Sequence, residues 1–355
     1  MTTKKWVAKA AHLLGLLCLL ALTWSPPALA QKPKAEPEPA SEPASEPAIE
    51  YEKPEKVKVG VYINDIQSLD IKSHSYELDI YIWFRWKNPE LDPSAKMEIL
   101  NPSELWGHIV NPTYEEPEVL PSGELYQVLR VQGRFSKKFL LYNYPYDKQN
   151  LEVRFEDTAS STDDVIYELD NNPVSINGKV QLPGYKVGTP TLRVEVHQYP
   201  TAFGDTRLQN NASEKYSSGI VEIPIARPMA PYTIKLLAPI FCVILCAALM
   251  FLLAPIYVDS RVDVGITSLL TVVALQMTFN QDLPDVGYLM LMDKIYLLSY
   301  LFVIGGLAVV VVTTRMVDTQ KAEAATRLHR LSLIGLTSFY MVVSLLFVVQ
   351  AALEG

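Results

Sequence analysis

Between Glu77 and Trp86 the chain reads ELDIYIWFRW. Leu78, Ile80, Ile82, Phe84 and Trp86 fall on one side of a period of two. Asp79, Tyr81, Trp83 and Arg85 fall on the other, which is the pattern of a half-buried strand. Residues 57–63, 125–135, 151–155, 191–199 and 220–225 read similarly, parted by turn clusters rich in Pro, Asn, Gly and Asp. No long amphipathic helix competes. Many short strands at this spacing predict an extracytoplasmic all-β, immunoglobulin-like sandwich over 56–228.

The pattern changes after Arg227. Residues 236–256, 295–312 and 331–353 carry no charge, and 262–279 carry only Asp263. At ~1.5 Å per residue each run is about long enough to cross a hydrocarbon core of ~30 Å. Four such runs predict a four-helix transmembrane bundle over 229–355. Charge follows the same division. Residues 228–355 hold 7 Lys and Arg and 8 Asp and Glu, against 24 and 31 in the first 227.

The N-terminus sets the expected sidedness. Lys4, Lys5 and Lys9 precede an apolar run over 10–22, then Pro26 and Pro27, then Ala28-Leu29-Ala30. This predicts a secretory signal peptide over 1–30. Residues 31–55 are too dense in Pro and Glu to bury a core, and are expected to form a disordered tether. Export places the sandwich outside and runs the helices in, out, in, out. The loop between the third and fourth then faces the cytoplasm with Arg315, Lys321, Arg327 and Arg330, while the outer loop 281–288 has no Lys or Arg. That asymmetry obeys the positive-inside rule. The expected location is a bacterial inner membrane.

Composition excludes several classes. Hydrophobic residues are 49% of 355, charged residues 20%, and net charge is −8. A chain this apolar is not disordered, and without a basic block a nucleic-acid partner is not expected. Cys18 lies in the leader, and Cys242 and Cys246 lie in an apolar run, so neither a disulfide scaffold nor a structural zinc site is expected in the sandwich. No nucleophile–base pair, HExxH, phosphate loop or GxSxG occurs there. No catalytic residue, metal or cofactor is expected.

Asp263 is the informative residue, because a carboxylate within a membrane helix faces water or a partner. With Asp259 at 0° and about 100° per residue, Asp263, Thr267, Leu270, Ala274, Met277 and Gln281 all fall within about 80°. The opposite face reads as apolar, with Val262, Ile266, Leu269, Val273 and Leu275. Around an axis of several copies this stripe lines a pore. Asp259 and Asp263 would then form carboxylate rings selecting monovalent cations, and Leu270, with Ala274 and Met277, would form a gate that closes by dewetting. The alternative is a lone bundle in which Asp263 pairs with Arg261 or Lys294.

This order of elements, with several motifs, resembles the prokaryotic branch of the pentameric ligand-gated ion channels, the Cys-loop receptor superfamily. YPYDKQNLEVRFED, residues 144–157, resembles the family's signature loop, with Tyr144, Pro145, Tyr146 and Asp147 in its aromatic-Pro-aromatic-Asp core. Lys137 and Leu151 stand where animal members carry the two cysteines. Trp86 with the following Asn88-Pro89-Glu90-Leu91 resembles the second strand. Trp106 resembles the family's Trp-x-Pro site, with Gly107-His108 in place of x-Pro. Arg227 matches the basic residue ending the last strand, and Pro239 the first-helix proline. LLTVVA, 269–274, and Leu283-Pro284 match the pore helix and its outer end. The short loop between the last two helices matches prokaryotic members.

The resemblance implies a homopentamer in a lipid bilayer, opened by a small agonist at subunit interfaces. Coupling would run through the signature loop, residues 70–73, Arg227 and Pro284, with Asp147 and Arg227 as an ion pair. For the agonist site it implies Tyr81 and Trp83 on the complementary side and Tyr114 on the principal side. The capping hairpin 198–217 would add Phe203 and Tyr216. Thr158 stands where an aromatic is expected, and Glu156 and Asp157 beside it could attract a cationic ligand. The agonist is an amine or a proton. His74, His108 and His197 are the titratable candidates for the second. A non-conducting membrane receptor that signals to a partner is the competing reading.

Overall fold

The structure is a computed structural model that describes residues 53–201 and 214–354. The expected signal peptide, nearly all of the tether, and Phe203 lie outside the described residues.

The N-terminal part is a sandwich of two sheets. One has six strands: β1 (Glu55–Asp70), β2 (Ser75–Trp86), β4 (Ile109–Pro112), β5 (Glu118–Val119), β6 (Leu125–Ser136) and β8 (Val165–Ile176). Its order is β4-β6-β2-β1-β8, with β5 also pairing β6. The other has five: β3 (Met97–Ile99), β7 (Lys148–Asp157), β9 (Lys186–Val187), β10 (Thr191–Gln198) and β11 (Lys215–Ala226). It runs β10-β11-β7-β3, with β9 on β11. Glu55, the last residue of the expected tether, already belongs to β1, its N–H bonded to Asp164 O at 2.8 Å.

Alternation decides the packing. Leu78, Ile80, Ile82, Phe84 and Trp86 of β2 are all 0–1% exposed. They face Leu151, Val153 and Phe155 of β7 and Val221 and Ile223 of β11 across one apolar core. Trp86 Nε1 donates to Leu91 O at 2.8 Å, which satisfies the one polar atom that residue buries. The reading of the sequence misses β8. This strand pairs in parallel with β1 and its run ELDNNP shows no alternation.

Four helices follow: α1 (Met229–Ala248), α2 (Val258–Gln281), α3 (Leu291–Asp318) and α4 (Ala322–Glu354). All four are long and apolar enough to cross a membrane. α1 contains Pro239. It stops well short of residue 256, passing through the 3-10 turn Leu249–Phe251 into a connection containing Pro255. Hydropathy does not separate helix from apolar turn, whereas a proline lacks the N–H and clashes with the preceding turn. α3 is the most buried helix, at 44% of its apolar window, against 17% for α2 and 11% for α4.

Sandwich and helices interlock. Leu283 and Met290, from the ends of the α2–α3 connection, are buried in the sandwich core. Tyr146 from the β6–β7 loop is buried in the helix core.

Candidate functional site

α2 packs on its own chain through a narrow arc of Arg261, Gly265, Ser268 and Val272, all buried. Counting about 100° per residue from Asp259, these four lie between about 180° and 240°. A Cβ on Gly265 would stand 2.5 Å from Leu307 Cδ2, so the missing side chain is what lets α2 approach α3. Asp259, Asp263, Thr267, Leu270, Ala274, Met277 and Gln281 are all exposed, centred about 170° from the packed arc. Ile266 and Val273, expected on the opposite face, are exposed as well, because they flank the stripe at about −20° and −40°. Small residues, not large apolar ones, mark the packed side.

Arg261 does not pair with Asp263. It is fully buried and donates to Met250 O at 3.1 Å, Thr313 Oγ1 at 3.3 Å and His329 Nδ1 at 2.8 Å. It thus pins the base of α2 to the 3-10 turn that follows α1, to α3 and to α4. Lys294 is exposed, and among the described residues it forms no ion pair with Asp263. Only the burial pattern reveals Arg261; in the sequence it reads as one more charge at a helix end.

Exposed positions of α4 differ in chemistry. Leu331, Ile334, Val342, Leu345, Leu346 and Val349 are all at least 46% exposed. An apolar exposed face on a membrane helix suits lipid, whereas two carboxylates and a hydroxyl suit water.

At the other end of α2 the sandwich grips the helices. Lys72, in the β1–β2 turn, donates to Gln281 O at 2.7 Å. Leu141 N–H donates to Tyr288 Oη at 2.9 Å, and Leu291 N–H to Tyr142 O at 2.9 Å. Tyr142 and Tyr288 stack with centroids 3.9 Å apart. Tyr144 meets Phe279 at 5.8 Å. Thr233 Oγ1 already donates to Met229 O, so it accepts from Tyr146 Oη at 2.9 Å. Pro284 is half-buried, beside Leu283 in the sandwich core.

Asp147 and Arg227 form the expected ion pair. Nη1 donates to Oδ1 at 3.1 Å, and the two residues are 7% and 6% exposed. Asp147 Oδ2 also accepts from Gln149 Nε2 at 2.6 Å. The guanidinium lies 4.4 Å from the Tyr144 ring centroid, 4.9 Å from Tyr185 and 5.9 Å from Tyr232, and Nη2 donates to Tyr185 Oη at 2.8 Å. Aromatic faces and a hydrogen-bonded carboxylate together compensate the desolvated cation. Burial pushes the Tyr185 hydroxyl up to about 12. Tyr142, Tyr185, Tyr232 and Tyr288 carry much of this junction, and nothing in their local sequence distinguishes them from the other tyrosines.

The expected agonist residues divide into two groups. Tyr81 and Trp83 lie on the face of β2 away from the core. The Trp83 ring crosses over Gly60, where a Cβ would stand 2.1 Å from it, and Nε1 donates to Asp170 Oδ2 at 3.0 Å. Arg130 sits over the Tyr81 ring at 5.5 Å. Tyr114 packs near Tyr126 at 6.1 Å. Glu156 and Tyr216 belong to the other sheet. Glu156 accepts from His197 Nδ1 at 3.0 Å and Tyr199 Oη at 2.5 Å, and Tyr199 meets Tyr216 edge-on at 5.8 Å. Glu156 is 2% exposed and Asp157 1%, so both carboxylates are engaged inside the chain, turned away from solvent. Asp157 Oδ1 accepts two backbone N–H bonds, while Oδ2 is buried without a partner among the described residues; burial raises its pKa. Tyr199 and His197, which bond Glu156, stand outside the aromatic set expected from the sequence.

No model of a known protein family matches the chain. It is similar to the gamma-aminobutyric acid receptor subunit gamma-3 of Homo sapiens, Mus musculus and Rattus norvegicus. In each case identity is 21% over 273 residues, covering 72% of this chain and 56% of the relative. The chain therefore spans about half the length of the curated relatives it matches. The similarity agrees with a β-sandwich followed by four apolar helices.

Proposed function

We propose that the chain is one subunit of a homopentameric, cation-selective, ligand-gated ion channel of the Cys-loop receptor superfamily, prokaryotic branch. The observation that carries the reading is the chemistry of the exposed helix faces. α2 leaves an acid–acid–hydroxyl–apolar stripe uncovered directly opposite its packed arc, while the uncharged stretch 331–353 of α4 exposes mainly large apolar side chains, its exposed charges lying at its two ends. Five copies around an axis hide the first from lipid and leave the second in it. Asp259 and Asp263 then form stacked carboxylate rings that attract cations, and Leu270, Ala274 and Met277 form the gate.

In this reading residues 1–30 direct export across a bacterial inner membrane and 31–55 form the tether. The sandwich 56–228 binds the ligand on the extracytoplasmic side, and 229–355 form the pore. Tyr81 and Trp83 of one subunit face the Glu156, Tyr199 and Tyr216 cluster of the next. Tyr144–Asp147, Lys72, Arg227 and Pro284 transmit the movement. The relatives are named for an amino acid that carries an ammonium group, which favours testing primary amines before acid pulses.

The test is a reversal potential in a salt gradient, on Leu270→Ser reconstituted into bilayers. A polar ring at Leu270 favours a wetted pore without agonist. A potential near the cation limit, lost when Asp259 and Asp263 become Asn, supports the reading. A potential near the anion limit retains the channel and removes the carboxylate filter. Folded pentamer without current favours a non-conducting receptor.

A further inference from the structure

We propose that the sandwich carries, on its flank, a binding site for small organic carboxylates, centred on Arg154 and bordering the subunit-interface cluster at His197 and Tyr199. A cavity of ≈ 510 Å³ opens where the end of β6, β7 and β10 meet, and Asn101, Lys137, Lys138, Glu152, Arg154 and His197 line it. Ligand pockets for small molecules span roughly 300–1,000 Å³, so the space suits a whole organic anion.

The charge of the wall selects the ligand. Three fixed cations face one carboxylate, in a chain whose net charge is −8. Glu152 is already used. Oε2 accepts from Lys137 Nζ at 2.8 Å, Oε1 accepts from Arg154 Nε, and the residue is 5% exposed. Burial alone would raise its pKa, but Lys137 and Arg154 together bring it below the ordinary carboxylate range. It therefore stays ionised and neutralises only one of the three cations. Among the described residues, both Nη groups of Arg154 and the whole ammonium of Lys138 have no hydrogen-bonded partner. The Nε bond to Glu152 orients the Arg154 guanidinium, and its backbone N–H donates to Asn101 Oδ1 at 3.0 Å.

An open guanidinium fork matches a planar carboxylate, which takes two parallel N–H bonds. Leu100 and the Tyr199 ring supply an apolar wall for the rest of the molecule. Chloride would meet the charge and leave the fork and the apolar wall unused.

The position makes the site modulatory. Lys137 and Lys138 open the β6–β7 loop, whose Leu141 is bonded to Tyr288 beyond α2. His197 and Tyr199 lie at the end of β10 and just beyond it, and both are bonded to Glu156. A carboxylate bound between them ties the coupling loop to the strand beside the agonist cluster.

The experiment is equilibrium dialysis of radiolabelled benzoate against the full-length protein in detergent, at constant ionic strength. Saturable binding of one benzoate per chain is expected. Charge-assisted hydrogen bonds predict a loss of about tenfold or more in Arg154→Gln, and a smaller loss of about threefold in Lys138→Ala. Arg154→Lys keeps the charge without the fork and is expected to bind nearly as poorly as Arg154→Gln. Thermal unfolding of each variant checks that the fold survives. Trp83→Ala, which alters the proposed subunit-interface site, is expected to leave benzoate binding unchanged. The proposal is overturned by absence of saturable binding to the wild type or by full affinity in Arg154→Gln. Equal displacement of benzoate by chloride, or loss of binding in Trp83→Ala, would overturn it as well. None of these outcomes depends on ion conduction.

Discussion

Strand β2 and helix α2 each turn one face into their own chain and one face away, and they do so with opposite chemistry. The inward face of β2 is five large apolar side chains, and its outward face is a network closed within the chain. Trp83 and Arg85 bond Asp170, and Arg85 and Lys58 bond Glu124, whose pKa those two cations hold down at about 2. The inward face of α2 is a glycine, a serine, a valine and a buried arginine, and its outward face has two acids that form no ion pair among the described residues. The difference teaches that one chain completes the sandwich and leaves the helix bundle unfinished. In the proposed channel, neighbouring subunits and water in the pore supply what α2 lacks.

The most damaging change to the finished region is in its core. Phe84→Ala removes a ring that is 0% exposed and meets Phe155 edge-on at 6.2 Å. It should cost about 3–5 kcal/mol, read as a drop in unfolding temperature with no change of pore properties in whatever protein survives. Asp147→Ala acts between the two regions. It strands a buried guanidinium and should cost about 3–5 kcal/mol. Arg227→Met in the same background should recover part of that, and a double variant no better than Asp147→Ala alone would remove the ion-pair account. Gly265→Val tests the packed arc of α2. The clash with Leu307 should cost about 1–3 kcal/mol, whereas Ala274→Val, on the exposed stripe, should leave thermal stability within error.

A pH effect follows at the junction. The Phe139 N–H donates to His74 Nδ1 at 3.1 Å, linking the end of the β1–β2 turn to the β6–β7 loop. Burial, and then Lys138, pull the His74 pKa below its usual 6.5, against a smaller opposing effect of Asp70. The neutral ring is therefore favoured in the folded state. Its contribution is complete above about pH 6.5 and is lost as pH falls through the lowered folded value. His74→Gln keeps an acceptor that does not titrate, so its unfolding temperature should fall less between pH 7 and pH 5 than that of the wild type. The smallest effect on stability belongs to Asp263→Asn, within about 0.5 kcal/mol, since the side chain is exposed and forms no ion pair among the described residues. The same variant should reduce the cation preference of the reversal potential, which is where the two faces of α2 part most clearly.

What the sequence by itself determined is what repeats along the chain. Period-two alternation located β2 and its neighbours, because every second residue of a strand meets the same core. Unbroken apolar runs located the four helices, because a hydrocarbon environment admits few charges. The polar stripe of α2 was legible because a carboxylate between such runs has few places to go. Tertiary structure decided everything that depends on residues far apart. It placed Ile266 and Val273 on the exposed side, since the packed side of α2 is set by how closely α3 approaches at Gly265. It turned Arg261 from a helix-end charge into a buried brace between three helices. It gathered Tyr144, Tyr185 and Tyr232 around Arg227, and drew Glu156 into the chain with His197 and Tyr199. Most of those contacts join segments tens of residues apart, and only the fold brings such segments within bonding distance.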